Sequence, residues 1–187
     1  MCEPVKISEA DILIAPGLGN SGADHWQRRW AKRMANARII EQDEWDHPQV
    51  ADWVARIHQE IMLATRPVVL IGHSLATSAI VLTAKRLVDT KVRGAFLVSP
   101  PDFDSAALPD TARAFAPPTD PLPFPSMVVA STTDPLVSLD RAKGFAADWG
   151  SDFMPAGDAG HINIASGHGP WPEGLLMFAE LMKRLKA

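Results

Sequence analysis

Ser74 is the residue whose surroundings in the sequence most clearly favour chemistry. The apolar segment Val68–Gly72 leads into it, and an alanine-rich helical pattern follows it. A strand, a tight turn and a helix in this order form a nucleophile elbow, which exposes a serine hydroxyl above a sheet. The amide of Leu75, in the first turn of the helix, would then donate to an oxyanion. The alternative is a serine that only caps a helix, and Ala76, where the elbow consensus G-x-S-x-G has glycine, weakens the match.

A nucleophilic serine needs a base, and the base needs a carboxylate that orients it. In folds with a nucleophile elbow these follow in the order Ser, Asp or Glu, His, each after a later strand. Asp134 follows the apolar run Met127–Ser131, so it is placed at the carboxyl end of a strand, where open parallel sheets carry their sites. The alternative is a turn aspartate without a catalytic role. The rival carboxylates, none of which follows a strand as directly, are Asp120, Asp140 and Asp158.

Two of the six histidines fit the chain order that a base requires. His161 follows a weak strand pattern at Asp152–Met154 and is preceded by a glycine, and His168 lies in the same late region. We predict His161 as the base, with His168 as the alternative. His73 flanks the serine, where its side chain is expected to point away from the line of attack. The spacing and neighbours of the histidines do not predict a metal site.

The loop Pro16–Gly22, PGLGNSG, has the G-x-G-x-x-G spacing of a dinucleotide-binding turn, and acidic residues follow about 20 positions later, as a ribose-binding acid would. Against a nucleotide site, Asp24 begins the next helix, where its charge would oppose a pyrophosphate. In folds with a nucleophile elbow, the loop after the first core strand donates the second oxyanion amide. We therefore predict an oxyanion loop, with Leu18 as the donor and Gly19 as the alternative.

The elements that must position these residues alternate along the chain. Short apolar runs, typical of buried strands, occur at Ile12–Ala15, Arg38–Ile40, Val68–Gly72, Gly94–Ser99, Met127–Ser131 and, weakly, Asp152–Met154. Helical stripes lie between or after them, as at Trp26, Trp30 and Met34, at Val50, Trp53, Val54, Ile57 and Ile61, and at Leu175, Phe178, Met182 and Leu185. Continuous apolar strands that alternate with amphipathic helices predict an α/β fold with a parallel sheet covered on both faces.

The region 100–125 interrupts this alternation. It holds half of the 16 prolines, which exclude a long helix or a central strand. Its apolar residues favour packing over disorder; they are Phe103, Leu108, Phe115, Leu122 and Phe124. A segment of this length without regular structure is usually functional or disordered. We therefore predict a lid or a pocket wall.

Length and composition limit the class of protein. A chain of 187 residues, 47% hydrophobic and 21% charged, predicts a single globular domain over 1–187. The net charge of −4 and a pI near 5.8 argue against a nucleic-acid or anionic-membrane partner. No apolar run is long enough to span a bilayer, and acids precede the first apolar run, unlike in a signal peptide. Cys2, the only cysteine, excludes an internal disulfide, and we expect a cytoplasmic protein.

Taken together, the motifs PGLGNSGADHWQRRW, WDHPQVADWV, GHSLA, STTDPLV and GHINIASGHGPWPEG resemble the small alpha/beta-hydrolase serine hydrolases related to retinoblastoma-binding protein 9, over almost the whole chain. The resemblance implies Ser74 as nucleophile, Asp134 as acid and His161 as base, in agreement with the assignment from the residues. It also implies a compact sheet of about six parallel strands in the order 2-1-3-4-5-6, with helices on both faces and no cofactor. Ala76 departs from the family pattern. A Leu-x-Cys-x-Glu peptide is absent because Cys2 is the only cysteine, so no protein partner is inferred.

The predicted function is hydrolysis of a small acyl ester or thioester through a Ser-Asp-His triad and an acyl-enzyme intermediate. An ester is favoured over a peptide because nothing in the sequence indicates an extended peptide cleft. Trp45, Phe103 and Trp171 are candidates for an apolar acyl pocket, although residues of this type are more often part of the core. The alternative is a catalytically idle hydrolase fold that binds a ligand or a protein.

Overall fold

The computed structural model describes residues 5–87 and 91–186, so Cys2 lies outside the described residues. Its centre is one sheet of six strands: β1 (Asp11–Ala15), β2 (Ala37–Ile39), β3 (Val68–His73), β4 (Val92–Val98), β5 (Ser126–Ala130) and β6 (Asp152–Pro155). The strands pair in parallel in the order β2-β1-β3-β4-β5-β6. The predicted α/β class and strand order are therefore confirmed.

In the described part of the chain, five α-helices cover the sheet: α1 (Trp26–Arg33), α2 (Val50–Leu63), α3 (Leu75–Ala84), α4 (Leu139–Asp148) and α5 (Pro172–Met182). Alternate strand residues feed two separate apolar clusters, with Leu70 in one and Ile71 in the other. We call the side that packs against α2, α3 and α4 the α2 face, and the side that packs against α1 and α5 the α5 face. Both faces of the strands are buried, which is why their sequences are continuously apolar.

The helices follow the predicted stripes with small differences at their ends. Met34 caps the carboxyl end of α1, and Leu185 lies beyond α5, where it is nevertheless fully buried. Helix α3 is buried on nearly all sides, so its sequence shows alanines and no stripe. None of the helices in the described ranges has both the length and the apolar composition that crossing a bilayer requires.

The proline-rich region 100–125 holds a short 3-10 helix, Asp110–Phe115, and otherwise lacks regular structure. Phe115 is fully buried and its ring lies 5.4 Å from that of Trp53 in α2, between ring centroids. Arg113 donates hydrogen bonds to three main-chain carbonyls of the same region, and the Trp149 indole N–H donates to the Pro118 carbonyl. The region is therefore packed onto the α2 face, which fits a pocket wall better than a loosely attached lid.

Candidate active site

Ser74 lies at the junction of β3 and α3 in a backbone conformation that non-glycine residues rarely adopt, with φ 53° and ψ −128°. Its N–H donates to the Val98 carbonyl of the neighbouring strand at 2.9 Å. At Gly72 a side chain would meet the Cα and N of Thr77 at 3.2 Å, so the strand and the helix approach closely. Ala76, which replaces the usual glycine, is fully buried and its methyl group packs in the core of the α2 face. The sharp turn matches the elbow that the sequence indicates.

The structure brings Ser74, His161 and Asp134 into one hydrogen-bonded line. Ser74 Oγ lies 2.9 Å from His161 Nε2, and His161 Nδ1 lies 2.9 and 3.0 Å from the two oxygens of Asp134. The Asp134 side chain is inaccessible to solvent, and the N–H of Leu136 donates to its Oδ1 at 2.9 Å. A carboxylate at Nδ1 favours the tautomer with the proton there, which leaves Nε2 free to accept from the serine. The geometry suits general-base activation of Ser74; the catalytic roles stay predictions.

The rival carboxylates have other neighbours. Asp120 pairs with Lys85, and Asp140 pairs with Lys143. Asp158 lies closer to the site, but it accepts a hydrogen bond from a threonine hydroxyl. Within the described ranges none of the three hydrogen-bonds a histidine ring, unlike the carboxylate placed against His161.

His168, the alternative base, has a different hydrogen-bond partner. Its Nδ1 lies 3.1 Å from the Ser166 hydroxyl, and its main-chain N–H donates to the Asn163 carbonyl. Among the described residues its ring makes no hydrogen bond to Ser74 or to Asp134. The geometry therefore favours His161 as the base.

Two hydroxyl residues tie the loop that carries Asp134 to the loop that carries the histidine. Ser131 Oγ, at the end of β5, accepts from the N–H of Ala159 at 2.9 Å. Thr133 Oγ1 donates to Asp158 at 2.6 Å and accepts from the N–H of Gly160 at 3.0 Å. These contacts fix the distance between acid and base. The sequence reasoning missed both residues, although they lie three positions and one position before Asp134.

His73 is hydrogen-bonded to the loop that carries His161. Its side chain is buried, and its Nε2 donates to the main-chain carbonyl of His161 at 2.9 Å. Burial, together with the charges of His161 and His25, lowers the pKa of His73 well below its usual value. The His25 ring lies 5.1 Å from that of His73, and burial above all lowers the pKa of His25 to about 4. Both rings are thus neutral near pH 7, and the sequence did not reveal either contact.

The loop Pro16–Gly22 lies directly against the elbow. A Cβ atom at Gly17 would stand 2.8 Å from the His73 carbonyl oxygen and 2.9 Å from the Cβ of Ser74. Such distances exclude any side chain at this position. The glycine therefore allows the loop to approach the serine, as an oxyanion loop must.

The hydrogen bonds of this loop distinguish its two candidate donors. The N–H of Gly19 donates to the Trp45 carbonyl at 3.0 Å and is therefore occupied. No acceptor for the N–H groups of Leu18 and Leu75 lies within the part of the chain that the structure describes. The geometry thus favours Leu18 over Gly19 as the partner of Leu75 in an oxyanion hole.

The nucleotide alternative for the same loop fits the structure less well. The space beside Gly17 is filled by the elbow, and Glu41, one of the acids that could have bound a ribose, pairs with Arg28. Among residues 5–87 and 91–186, no group of three or more His, Cys, Asp or Glu side chains is placed to hold a metal ion. The arrangement is suited to acyl chemistry at Ser74.

The three aromatic candidates for the substrate pocket separate into two groups. Trp45 and Phe103 are half-buried and pack on the α2 face, where Leu18 also lies. Trp171 is 3% exposed and belongs to the α5 face, with its ring stacked 5.8 Å from that of Trp30. The rings of Trp26 and Trp30 therefore cover much of Trp171, and a place for it in an acyl pocket stays a prediction.

Comparison with known proteins identifies the family and the fold of the chain. Residues 12–180 match the family model described as serine hydrolase. A crystal structure of a protein from Pectobacterium atrosepticum, described as a YdeN-like hydrolase, is 34% identical over 97% of this chain and 95% of its own, with a TM-score of 0.85. The ydeN gene product of B. subtilis is 19% identical over 94% of this chain and 100% of its own, with a TM-score of 0.74.

More distant structures share the fold alone. The type II thioesterase BorB from the borrelidin biosynthetic cluster is 14% identical over 96% of this chain and 95% of its own, with a TM-score of 0.67. No curated protein matches the chain. The comparisons support a hydrolase and leave the substrate open.

Proposed function

The chain belongs to the serine hydrolase family, and we propose that it hydrolyses small acyl esters or thioesters through an acyl-enzyme intermediate. The observation that carries the proposal is the hydrogen-bonded line from Ser74 through His161 to Asp134. A serine in a strained elbow, a histidine in reach of its hydroxyl and a buried carboxylate behind the histidine are the parts that nucleophilic catalysis requires.

In the proposed first half-reaction, Ser74 Oγ attacks the acyl carbonyl while His161 Nε2 takes the hydroxyl proton. Asp134 keeps the other ring nitrogen protonated and stabilises the imidazolium that forms. The N–H groups of Leu75 and Leu18 donate to the oxyanion of the tetrahedral intermediate. When the intermediate collapses, the bond to the alcohol or thiol breaks, and the leaving group takes the proton back from His161.

The second half-reaction repeats these steps with water. His161 takes a proton from a water molecule that attacks the acyl carbonyl on Ser74, and the same two amides stabilise the second oxyanion. Collapse of this intermediate breaks the bond to Ser74 Oγ, which recovers its proton from His161. The products are a carboxylic acid and the free enzyme.

The proposed acyl group is apolar and binds on the α2 face. The support is chemical: Leu18, Trp45 and Phe103 present partly exposed apolar side chains there. Leu18 belongs to the loop that contacts the elbow, and the Trp45 carbonyl accepts from Gly19 of the same loop. A carboxylesterase-like specificity is therefore proposed. The thioesterase BorB shares only the fold, at 14% identity, so it does not decide between an oxygen ester and a thioester.

Several narrower predictions accompany this proposal. They are a relation to retinoblastoma-binding protein 9, a single domain over 1–187, a cytoplasmic location, and a small-molecule acyl substrate as the partner, with neither nucleic acid nor membrane. Their support is the sequence: its motifs, its length and its charge.

The test is covalent labelling by a fluorophosphonate probe together with hydrolysis of esters of graded acyl length and of the matching thioesters. We expect the wild-type protein to react with the probe and to turn over at least one ester, and Ser74→Ala to do neither. Ser78→Ala is the matched control, because Ser78 is buried in α3, the helix that follows Ser74, and its hydroxyl has no hydrogen-bond partner among the described residues. Equal labelling of wild type and Ser74→Ala would contradict the proposal. A folded wild-type protein that never reacts would favour the idle, ligand-binding alternative.

A further inference from the structure

Gln27, in the first turn of α1, is completely buried although its side chain is polar. A buried amide has to satisfy its hydrogen-bonding groups inside the protein. The Nε2 of Gln27 donates to the carbonyl of Ala15 at 2.9 Å, and its Oε1 accepts from the hydroxyl of Ser21 at 2.7 Å. Ala15 is the last residue of β1, and Ser21 lies near the end of the loop Pro16–Gly22. One side chain therefore joins both ends of this loop.

The loop needs such support because its own conformation is unusual. Gly19 and Asn20 have φ angles of 72° and 67°, in the left-handed region, which residues other than glycine, asparagine and aspartate rarely adopt. Arg28 also holds the loop, through the Ser21 carbonyl and the Asn20 side chain, but from the partly solvated side. Hydrogen bonds to Gln27 are shielded from water, so their loss leaves buried polar groups unpaired. Gln27 is thus the stronger of the two supports.

We infer that Gln27 is a positioning residue that fixes the loop Pro16–Gly22 so that the Leu18 amide points at the developing oxyanion. The inference rests on the proposed function, which gives that amide its role. Donors of an oxyanion hole act through preorganisation, and a displacement of about 1 Å costs much of their effect. Within the described ranges the Gln27 side chain hydrogen-bonds Ala15 and Ser21 and not Ser74, so it acts through these two residues.

The test compares Gln27→Leu with Asn36→Leu. Asn36 is a matched control, because its side-chain amide also donates to two main-chain carbonyls, those of Ile7 and Ala10, at the opposite end of β1. Two quantities are measured in full-length protein: kcat and KM for the best ester, and hydrogen exchange of the peptide that spans 16–22. We expect Gln27→Leu to lower kcat roughly 10- to 100-fold, less than the loss of a whole donor, with KM changed less than about twofold.

Hydrogen exchange provides a readout that does not depend on activity. We expect Gln27→Leu to accelerate exchange within 16–22, and Asn36→Leu to leave both that exchange and kcat unchanged. Should Gln27→Leu not fold, Ser21→Ala removes one of the two hydrogen bonds and is expected to shift both readouts in the same direction by less. The inference is overturned if exchange within 16–22 stays at the wild-type level, if Gln27→Leu raises only KM, or if Asn36→Leu lowers kcat equally. If wild type and Ser74→Ala are equally inactive, the proposed function fails, while the exchange measurement still decides the role of Gln27.

Discussion

Asp11 and Asp134 lie at opposite ends of the parallel strands, and each carboxylate is paired with a basic side chain. Asp11 begins β1, its side chain is 9% exposed, and it accepts hydrogen bonds from the main chain of Thr65 and Arg66 and from the Arg66 guanidinium. Asp134 follows β5, its side chain is inaccessible, and it accepts from the main chain of Leu136 and faces the His161 ring. The two aspartates therefore have similar burial and similar local support.

The two aspartates differ in what else their basic partner, Arg66 or His161, is hydrogen-bonded to. Burial by itself would raise the pKa of Asp11, but the hydrogen bonds and the charge of Arg66 outweigh it and lower the pKa below its usual value. Arg66 keeps its charge permanently, and among the described residues the other hydrogen-bond acceptor of its guanidinium is the Ser8 carbonyl. The second ring nitrogen of His161 instead meets the Ser74 hydroxyl, to which a neutral imidazole can act as a base. A carboxylate and its basic partner become catalytic when the base can exchange a proton with a third group, and the predictions below test that distinction.

The largest expected effect concerns the base at the carboxyl end of the sheet. His161→Ala should lower kcat by about 10⁴- to 10⁶-fold, as Ser74→Ala should, because both serve one step. The double variant should be scarcely worse than either single variant. His168→Ala is the control and should retain most of its turnover. An inactive His168→Ala beside an active His161→Ala in steady-state ester assays would reassign the base.

The next effect separates Asp134 from ordinary carboxylates. Asp134→Asn should lower kcat by about 10⁴-fold, because the amide favours the wrong histidine tautomer, and it should leave the protein folded. Asp158→Asn, a change in the neighbouring loop, should cost far less. Ester hydrolysis and circular dichroism of both variants check this. A larger loss of kcat in Asp158→Asn than in Asp134→Asn would show that Asp158, and not Asp134, orients the base.

The same substitution at the other end of the sheet should act on stability alone. Asp11→Asn should lower the free energy of unfolding by about 1–3 kcal/mol, because it weakens charge-assisted hydrogen bonds to Arg66, a residue that is itself partly exposed. The variant's kcat should equal that of the wild type. Urea unfolding and ester hydrolysis measure the two quantities. A fall in kcat without a fall in stability would remove the contrast between the two aspartates.

The last effect is a difference in pH dependence between the two ends. The pKa of His25 is about 4 in the folded protein, below its usual 6.5, so the unfolded chain binds its proton first as the pH falls. The contribution of His25 to the free energy of unfolding is therefore complete above pH 6.5. It is lost as the pH falls from 6.5 to 4, by up to about 1.4 kcal/mol per pH unit. His73 acts in the same direction. The lowered pKa of Asp11 places its loss at lower pH, below about 4, near its usual value of 3.8.

Urea unfolding at a series of pH values measures this difference. His25→Asn keeps a side chain that can cap α1 but does not titrate, so its stability should fall less steeply between pH 6.5 and 4 than that of the wild type. At pH 8 the pH-dependent part of the difference should vanish. Parallel curves for the two proteins across this window would show that His25 is not a source of the acid sensitivity.

The elements of the fold were predictable from local patterns. The run Val68–Gly72 became β3 with one further residue, and the weak pattern at Asp152–Met154 became β6. In strands and helices the apolar residues are the ones that face the core, so the spacing of apolar residues predicts each element even when the segments that pack against it are unknown. Met34 and Leu185 were placed less well, because packing against the sheet, and not the helix itself, accounts for their apolar character.

The candidate triad was also accessible from the sequence, because the order of strands fixes where their carboxyl ends meet. Ser74, Asp134 and His161 each follow a predicted strand, and parallel strands bring such positions to one edge. The preference for His161 over His168 came from its closeness to the last strand, and the geometry agrees with that preference. Their catalytic roles await the experiments above.

By itself, the sequence determined the alternation of strands and helices, the parallel sheet and the three residues placed at its edge, since each depends on local pattern and chain order. Only the tertiary structure favours Leu18 over Gly19, because the acceptor that occupies the Gly19 N–H, the Trp45 carbonyl, comes from a distant loop. Trp171 was likewise assigned to the core only by its stacked partner on α1, and Gln27 was recognised only by the two loop ends that it joins. Hydrogen bonds and ring contacts of this kind depend on which distant segments of the chain are brought together by folding. The types of the two residues in contact do not reveal that proximity.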